Sequence, residues 1–330
     1  MVTATPQPLK LAVGAVWDDG PVQVVEWLSE IAAASGGAPV GRAHLAELRE
    51  ELEAAAHDAV AVVEGVLGPQ DPGVLRLPKS RLAALAQCER SAVAADGVRE
   101  DSAPGAAALR GIALDRFVIH QLHAGRAREP VSDLRAMLHA EGEWATLAAL
   151  DQLEDADAAA PARLLDPLAT SVADHWAGVP VEWNARTQAR ATLHLAEARV
   201  VCSGLADVEL GGHGTGLPGV VIEVKSGAPS AAHLAEVALY ALLVALRDDH
   251  APEVVARWYP GGAPAATEVT EGLLDSAARR LADGITTWAE LEVGRPPTEV
   301  PGAWCGWCAV ADVCPSAQAP PIAADLLASP

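Results

Sequence analysis

The sequence predicts an α/β (α+β) fold, a sheet-and-helix core with a helical insert. Three observations carry that prediction. Apolar residues recur at helical spacing to about residue 177, the period drops to that of strands over 179–226, and a helix, a strand and a helix then follow.

In chain order, residues 1–75 form an N-terminal accessory segment. A short strand is expected there at "KLAVGAV", with helices over 21–34 and 42–67 and a turn-rich break at "GPQDPG". The main domain is expected over 76–330. It opens with "PKSRLAALAQCERSAV", where Ser80 is suited to cap a helix, Leu82 and Leu85 fall at helical spacing, and Cys88 ends the element. Helical patterns continue to 177, the insert occupying about 110–177. The stretches "VPVEWNARTQARATLHL", "ARVVCSGLADVEL" and "PGVVIEVKSG", with the turn "GGHGTG" before the last, change to strand periodicity and predict a β-meander. A helix over 231–247, a strand at "EVVARWYP" and a helix over 271–290 complete the core.

Composition narrows the function classes. The chain has 330 residues, 51% of them hydrophobic, enough to bury a core without disulfides. No run reaches the ~18 apolar residues of a membrane span, and no basic stretch precedes an apolar one at the N-terminus. A cytoplasmic protein with no membrane partner is expected. Its 44 acidic and 23 basic residues give a net charge of −21, which counts against tight, sequence-independent nucleic-acid binding by this chain alone. Only three lysines occur, Lys10, Lys79 and Lys225, and the last stands in "VIEVKSG".

Two groups of residues carry chemistry. Cys305, Cys308 and Cys314 form a C-x2-C-x5-C array in "PGAWCGWCAVADVCPS". Thiolate sites for zinc or iron–sulfur clusters normally take four ligands, and Cys88 and Cys202 are the other cysteines. In the meander, Asp207 lies one hairpin away from Glu223 and Lys225, which share a strand face at i and i+2. Two converging carboxylates repel unless a cation joins them, and oxygen-only ligation suits Mg2+ or Mn2+. Such a cation with a neighbouring lysine is the equipment of phosphodiester hydrolysis.

Six stretches in order, "SRLAALAQC", "GIALD", "GLAD", "EVK", "EVALY" and "CGWCAVADVC", together spanning residues 80–316, resemble the PD-(D/E)XK nuclease superfamily. The likeness is to its RecB-like branch with an iron–sulfur cluster, which includes AddB-type and CRISPR-associated exonucleases. That resemblance implies a restriction-endonuclease-like core, a mixed central β-sheet flanked by helices, with an iron–sulfur staple. It implies that Asp207, Glu223 and Lys225 are catalytic, that Asp207 and Glu223 hold Mg2+ or Mn2+, and that Cys88 joins Cys305, Cys308 and Cys314 around a structural 4Fe-4S cluster. Cys202, in a core strand, then reads as a small buried apolar residue. Zinc fits less well, because zinc ribbons usually pair two C-x2-C knuckles and one is missing here.

The sequence departs from the family pattern twice. Asp115 stands where the family has histidine and reads as a third metal ligand, while Glu236 stands where it has glutamine, four residues before Tyr240 on one helix face. Glu236 and Tyr240 are expected to contact substrate. His120, His123 and His139 lack a matching carboxylate spacing and read as structural. Trp304 and Trp307 are expected to shield the cysteines, and Arg186, Arg190 and Arg199 are the candidate phosphate contacts. The reading is a metal-dependent deoxyribonuclease acting on single strands or duplex ends, of exonuclease type. No G-x-x-x-x-G-K-[ST] loop occurs, so any ATP-driven movement belongs to a separate helicase or complex subunit. The alternative is an inactive DNA-end-binding or assembly subunit, which the substitutions at 115 and 236 favour.

Overall fold

The computed structural model describes residues 23–34, 40–68, 73–95, 103–212 and 214–318. The strand expected at "KLAVGAV" lies outside these. In order, the elements are α1 (Val24–Ala34), α2 (Arg42–Leu67), β1 (Leu75–Pro78), α3 (Lys79–Gln87), α4 (Glu89–Ala95) and α5 (Ala106–His123). Next come α6 (Pro130–Glu141), α7 (Trp144–Ala156), α8 (Ala160–Trp176), β2 (Arg186–Leu195), β3 (Val200–Leu210) and β4 (Val220–Val224). The chain ends with α9 (Ala231–Asp248), β5 (Val254–Trp258), β6 (Ala265–Glu268), α10 (Glu271–Glu292) and α11 (Pro315–Gln318). No described helix is long and apolar enough to cross a membrane.

The described strands form one mixed sheet in the order β1-β3-β4-β5-β6, with β2 also pairing β3. β3 and β4 are antiparallel, β4 and β5 parallel, β5 and β6 antiparallel. The parallel pair needs a crossover, and α9 supplies it. All five residues of β4 are buried, which is why its sequence reads as a near-continuous apolar run broken only by Glu223.

The chain forms two compact units, one of residues 1–50, 101–193 and 203–279, the other of 51–100, 194–202 and 280–330. In the first, one sheet face packs on helices. Val208, Leu210, Val220, Ile222, Val254, Ala256 and Trp258 join residues of α1, α5, α6, α7 and α8 in a continuous core. α1 enters it through Val24, Trp27, Leu28 and Ile31, the i, i+3, i+4, i+7 stripe of an amphipathic helix. Trp176 and Trp258 meet edge to face at 5.5 Å. Gly211 ends β3 at φ +64, where a Cβ would stand 2.2 Å from the Pro218 carbonyl oxygen, so only glycine can make this turn.

In the second unit, α3 begins at Lys79, and its N-terminal flank is Pro78, with no side-chain cap. Ser80 therefore does not cap this helix. Proline ends β1 and sets an extended backbone (φ −66, ψ 156) immediately before the helix, so the boundary falls two residues earlier than the serine suggests. Gly284 of α10 lets the Leu82 side chain approach, since a Cβ there would lie 2.3 Å from Leu82 Cδ2. Arg81 stacks 4.0 Å over the Trp288 ring.

Glu209, at 3% exposure, is the first unit's most sequestered carboxylate apart from Glu223. Arg247 of α9 reaches both its oxygens, at 3.1 and 2.9 Å, and Arg186 approaches at 2.6 Å. Removing one partner of a buried pair strands the other's charge. Arg247→Ala is expected to lower the unfolding free energy by about 3 kcal/mol, measured by urea denaturation followed by tryptophan fluorescence. A change under about 0.5 kcal/mol would show that Arg186 alone neutralises Glu209.

Candidate active site

The ladder between β3 and β4 pairs Val208 with Ile222. Carried one residue further, the same register sets Asp207 opposite Glu223, so both carboxylates leave the sheet from one face. Beyond that point side chains replace the backbone ladder. The Val224 N–H donates to Asp207 Oδ2 at 2.7 Å. Glu223 is 3% exposed, and Lys225, two residues on, donates from Nζ to Glu223 Oε1 at 2.8 Å. The same ammonium donates to Glu236 Oε2 of α9 at 2.7 Å. Three of the residues singled out in the sequence thus meet at one cation. Glu236, which departs from the family pattern, is here the second carboxylate of a Glu223–Lys225–Glu236 bridge.

Tyr240 stands one helical turn after Glu236 and is 2% exposed. Burial, followed by the nearby Glu223 and Asp207 charges, holds its phenol protonated far above the ordinary tyrosine range. Gly204 makes room for it: a Cβ there would lie 2.6 Å from Tyr240 Cε1. The glycine three residues before Asp207 is therefore required by the tyrosine ring. Asp115 lies half-buried on α5, one turn after Gly111, whose Cβ position is 3.5 Å from Ser226 Oγ in the turn that follows Lys225. Among the described residues no group of three or more His, Cys, Asp or Glu side chains is gathered closely enough to hold a metal ion. Asp207 and Glu223 remain a paired oxygen donor set of the kind that suits Mg2+ or Mn2+.

Four residues on this face were not singled out in the sequence. Gln188 of β2 has φ +49, a left-handed backbone for a non-glycine residue, and its amide lies 3.5 Å from Asp207 Oδ1. His233, in the first turn of α9, shares a 2.8 Å hydrogen bond with the Tyr259 hydroxyl through Nδ1. Burial first, then the Lys225 ammonium, push the His233 imidazolium below the usual histidine range. Arg257 of β5 is the Cα partner of Glu223. His233 could have been found as the residue three before Glu236 on the same helix face. Arg257 could not, because nothing in the sequence states the β4–β5 register.

The other polar candidates are occupied elsewhere. His120 Nδ1 bonds the Gly125 carbonyl at 2.7 Å, His123 Nε2 lies 3.1 Å from Thr187 Oγ1, and His139 packs edge-on to Trp144. Arg186 pairs with Glu209, and Arg199 pairs with Glu64 at 2.9 Å. Two of the three arginines expected to meet phosphate are thus committed to carboxylates.

The cysteines lie in the second unit. Cys88, Cys305, Cys308 and Cys314 line one cavity, together with Trp304. Cys88 is the residue that ends α3, and the Val300 N–H donates to its Sγ at 3.5 Å; the Gly302 N–H does the same to Cys305 Sγ at 3.4 Å. Around them Arg295 clamps both Glu89 oxygens at 3.0 Å, and the Thr298 N–H donates to Glu89 at 2.7 Å. The Arg295 bond is the main reason the Glu89 carboxyl lies below its usual range. Trp304 Nε1 donates to the Val300 carbonyl at 2.8 Å. Cys202 is fully buried in β3, and burial pushes its thiol up to about 12, which suits an inert apolar side chain.

Comparison with known proteins follows this geometry. No curated protein matches the chain. The crystal structure of SSO0001 is similar over 80% of this chain and 95% of its own, with 16% identity and a TM-score of 0.32. The family model for the PD-(D/E)XK nuclease superfamily matches residues 76–315, which include the Asp207, Glu223 and Lys225 strands, α9 and the cysteine array, and the chain belongs to that superfamily.

Proposed function

We propose that this protein is a Mg2+- or Mn2+-dependent deoxyribonuclease of exonuclease type, with a structural iron–sulfur cluster in its second unit. The observation that carries the catalytic reading is the Lys225 ammonium held between Glu223 and Glu236, beside an Asp207 fixed by the Val224 N–H. An inactive remnant has no reason to keep an aspartate, a buried glutamate and a lysine in register on one sheet face. Asp207 and Glu223 would hold the cation, with Asp115 of α5 as a third ligand. The cation, when bound, supplies Lewis-acid polarisation of the phosphate and acidifies water.

The remaining work falls to the chain's own residues. Lys225 carries three N–H donors, and the two carboxylates that hold it aim the ammonium so that it can orient an attacking water and meet developing negative charge. Glu236 holds that ammonium in place from α9. Tyr240, its phenol protonated, keeps a hydroxyl that can donate or accept a hydrogen bond, and it would line the approach to the lysine. The four cysteines around one cavity, with backbone N–H donors on two of their sulfurs, support a four-thiolate iron–sulfur site. The net charge of −21 supports a partner, a helicase or nuclease-complex subunit, that brings the chain to DNA.

Wild-type protein purified without oxygen is expected to cut labelled single-stranded or duplex-end DNA when Mg2+ or Mn2+ is present. Lys225→Ala is expected to lower kcat by about 10²- to 10³-fold and leave the brown visible absorbance unchanged. A folded wild type that cuts neither DNA nor RNA with either cation would move the protein to the binding-subunit reading. Cys88→Ser is expected to remove that absorbance and most of the roughly four irons per chain found by metal analysis, and to lower Tm. Zinc in place of iron, or an unaltered metal content in the serine variant, would sink the cluster assignment.

A further inference from the structure

The substrate of the proposed reaction is a polyanion, and the face that would receive it is crowded with carboxylates. Asp207, Glu223 and Glu236 all lie there, the one lysine is already shared by two of them, and the whole chain carries −21. Attraction for the phosphates that flank the scissile one must come from nearby. Arg186 and Arg199 are spent on Glu209 and Glu64.

Arg257 is placed differently. As the β4–β5 ladder partner of Glu223 it leaves the sheet from the same face, one strand away, or about 4.8 Å between backbones. It is half-buried, and its Nε is buried with no hydrogen-bond partner among the described residues. A guanidinium N–H removed from water and given no acceptor is costly, and such a group is satisfied when an anion arrives. Two residues on, Tyr259 holds His233 of α9 through the 2.8 Å bond, which puts hydrogen-bonding groups beside it. Besides the Lys225 ammonium, already held by two carboxylates, the positive charge there is that of Arg257, whose planar fork of N–H donors matches two phosphate oxygens at once.

We infer that Arg257 binds a backbone phosphate of the substrate strand next to the scissile one, with the His233–Tyr259 pair forming the wall beside it. The inference rests on the nuclease reading for its substrate class. A purely electrostatic role, in which Arg257 only offsets the charge of Glu223, would act through cation affinity and would leave binding of nucleic acid in EDTA untouched.

The test is fluorescence anisotropy of labelled single-stranded and duplex-end oligonucleotides in EDTA, across a salt series, beside a cutting assay with Mn2+. Arg257→Gln is expected to weaken binding about ten-fold and to reduce the slope of log K against log salt by about one. Arg257→Lys keeps most of the slope, which guards against a folding defect as the cause. Arg163→Gln, an exposed α8 arginine paired with Asp157, controls for loss of one positive charge. Unchanged affinity and slope in folded Arg257→Gln overturn the inference, as does loss of cutting with binding in EDTA intact. Arg257-dependent binding by a wild type that does not cut upholds the inference and overturns catalysis. A wild type that cuts with Mn2+ but binds neither oligonucleotide in EDTA overturns the inference and leaves catalysis standing, and one that neither binds nor cuts overturns both.

Discussion

The site is organised by one ammonium. Glu223 sits at 3% exposure in a strand buried on both faces, and a carboxylate in that position costs several kcal/mol unless a cation answers it. Lys225 answers it from two residues further on, just past the end of β4, and reaches α9 at the same time through Glu236. The lysine therefore fixes how the crossover helix lies on the β4 edge of the site, and with it where Tyr240 and His233 stand. The glutamate at 236 makes sense in this light. Where an amide would offer the ammonium a neutral acceptor, the carboxylate gives it a full counter-charge, and the second negative charge is absorbed inside the fold.

The same accounting explains how a chain with so large an acidic excess could meet DNA. Several of its arginines are neutralised within their own units: Arg247 by Glu209 and Asp248, Arg135 by Asp151 and Glu154, Arg116 by Glu141, Arg295 by Glu89. A basic residue counted in the sequence is thus a poor guide to a basic surface. What matters for a phosphate is a guanidinium without a carboxylate of its own, and that depends on register and packing. A protein of this net charge repels nucleic acid over long range, so attraction for a phosphate would depend on such short-range groups.

Much of this was legible beforehand. The apolar run around Glu223 and the E-x-K spacing are local properties, and β3, β4, α9, β5 and α10 fall where those patterns put them, while the strand expected from residue 179 begins only at Arg186, after a 3-10 turn over Val181–Trp183. The four-residue β1 and β6 were missed because strands that short leave no measurable alternation. The Ser80 cap failed because a proline two residues earlier set the boundary first. At the site, Asp207 and Glu223 were within reach because a hairpin joins their strands. The Lys225–Glu236 bridge, the Gly204–Tyr240 contact and the Glu223–Arg257 pairing are tertiary, made across a helix crossover whose geometry no local pattern encodes.

The cysteines illustrate the same divide at greater sequence separation. Cys305 and Cys308 sit on a short 3-10 turn and Cys314 just beyond another, so their proximity follows from spacing alone. Cys88 arrives from more than two hundred residues upstream, and only the fold can say that it rather than Cys202 shares their cavity. The reason lies in the backbone. Cys88 leaves α3 in an extended conformation (φ −164, ψ 116), and Glu89, the next residue, is locked to Arg295 and Thr298 on the segment that leads to the array. An ion pair and a backbone hydrogen bond thus set the direction in which the thiol projects. Cys202 has the opposite surroundings, an apolar strand interior that holds its thiol protonated. The distinction between the two lies in their surroundings: Cys88 lines one cavity with the three cysteines of the array and takes the Val300 N–H on its sulfur, while Cys202 is enclosed in its strand.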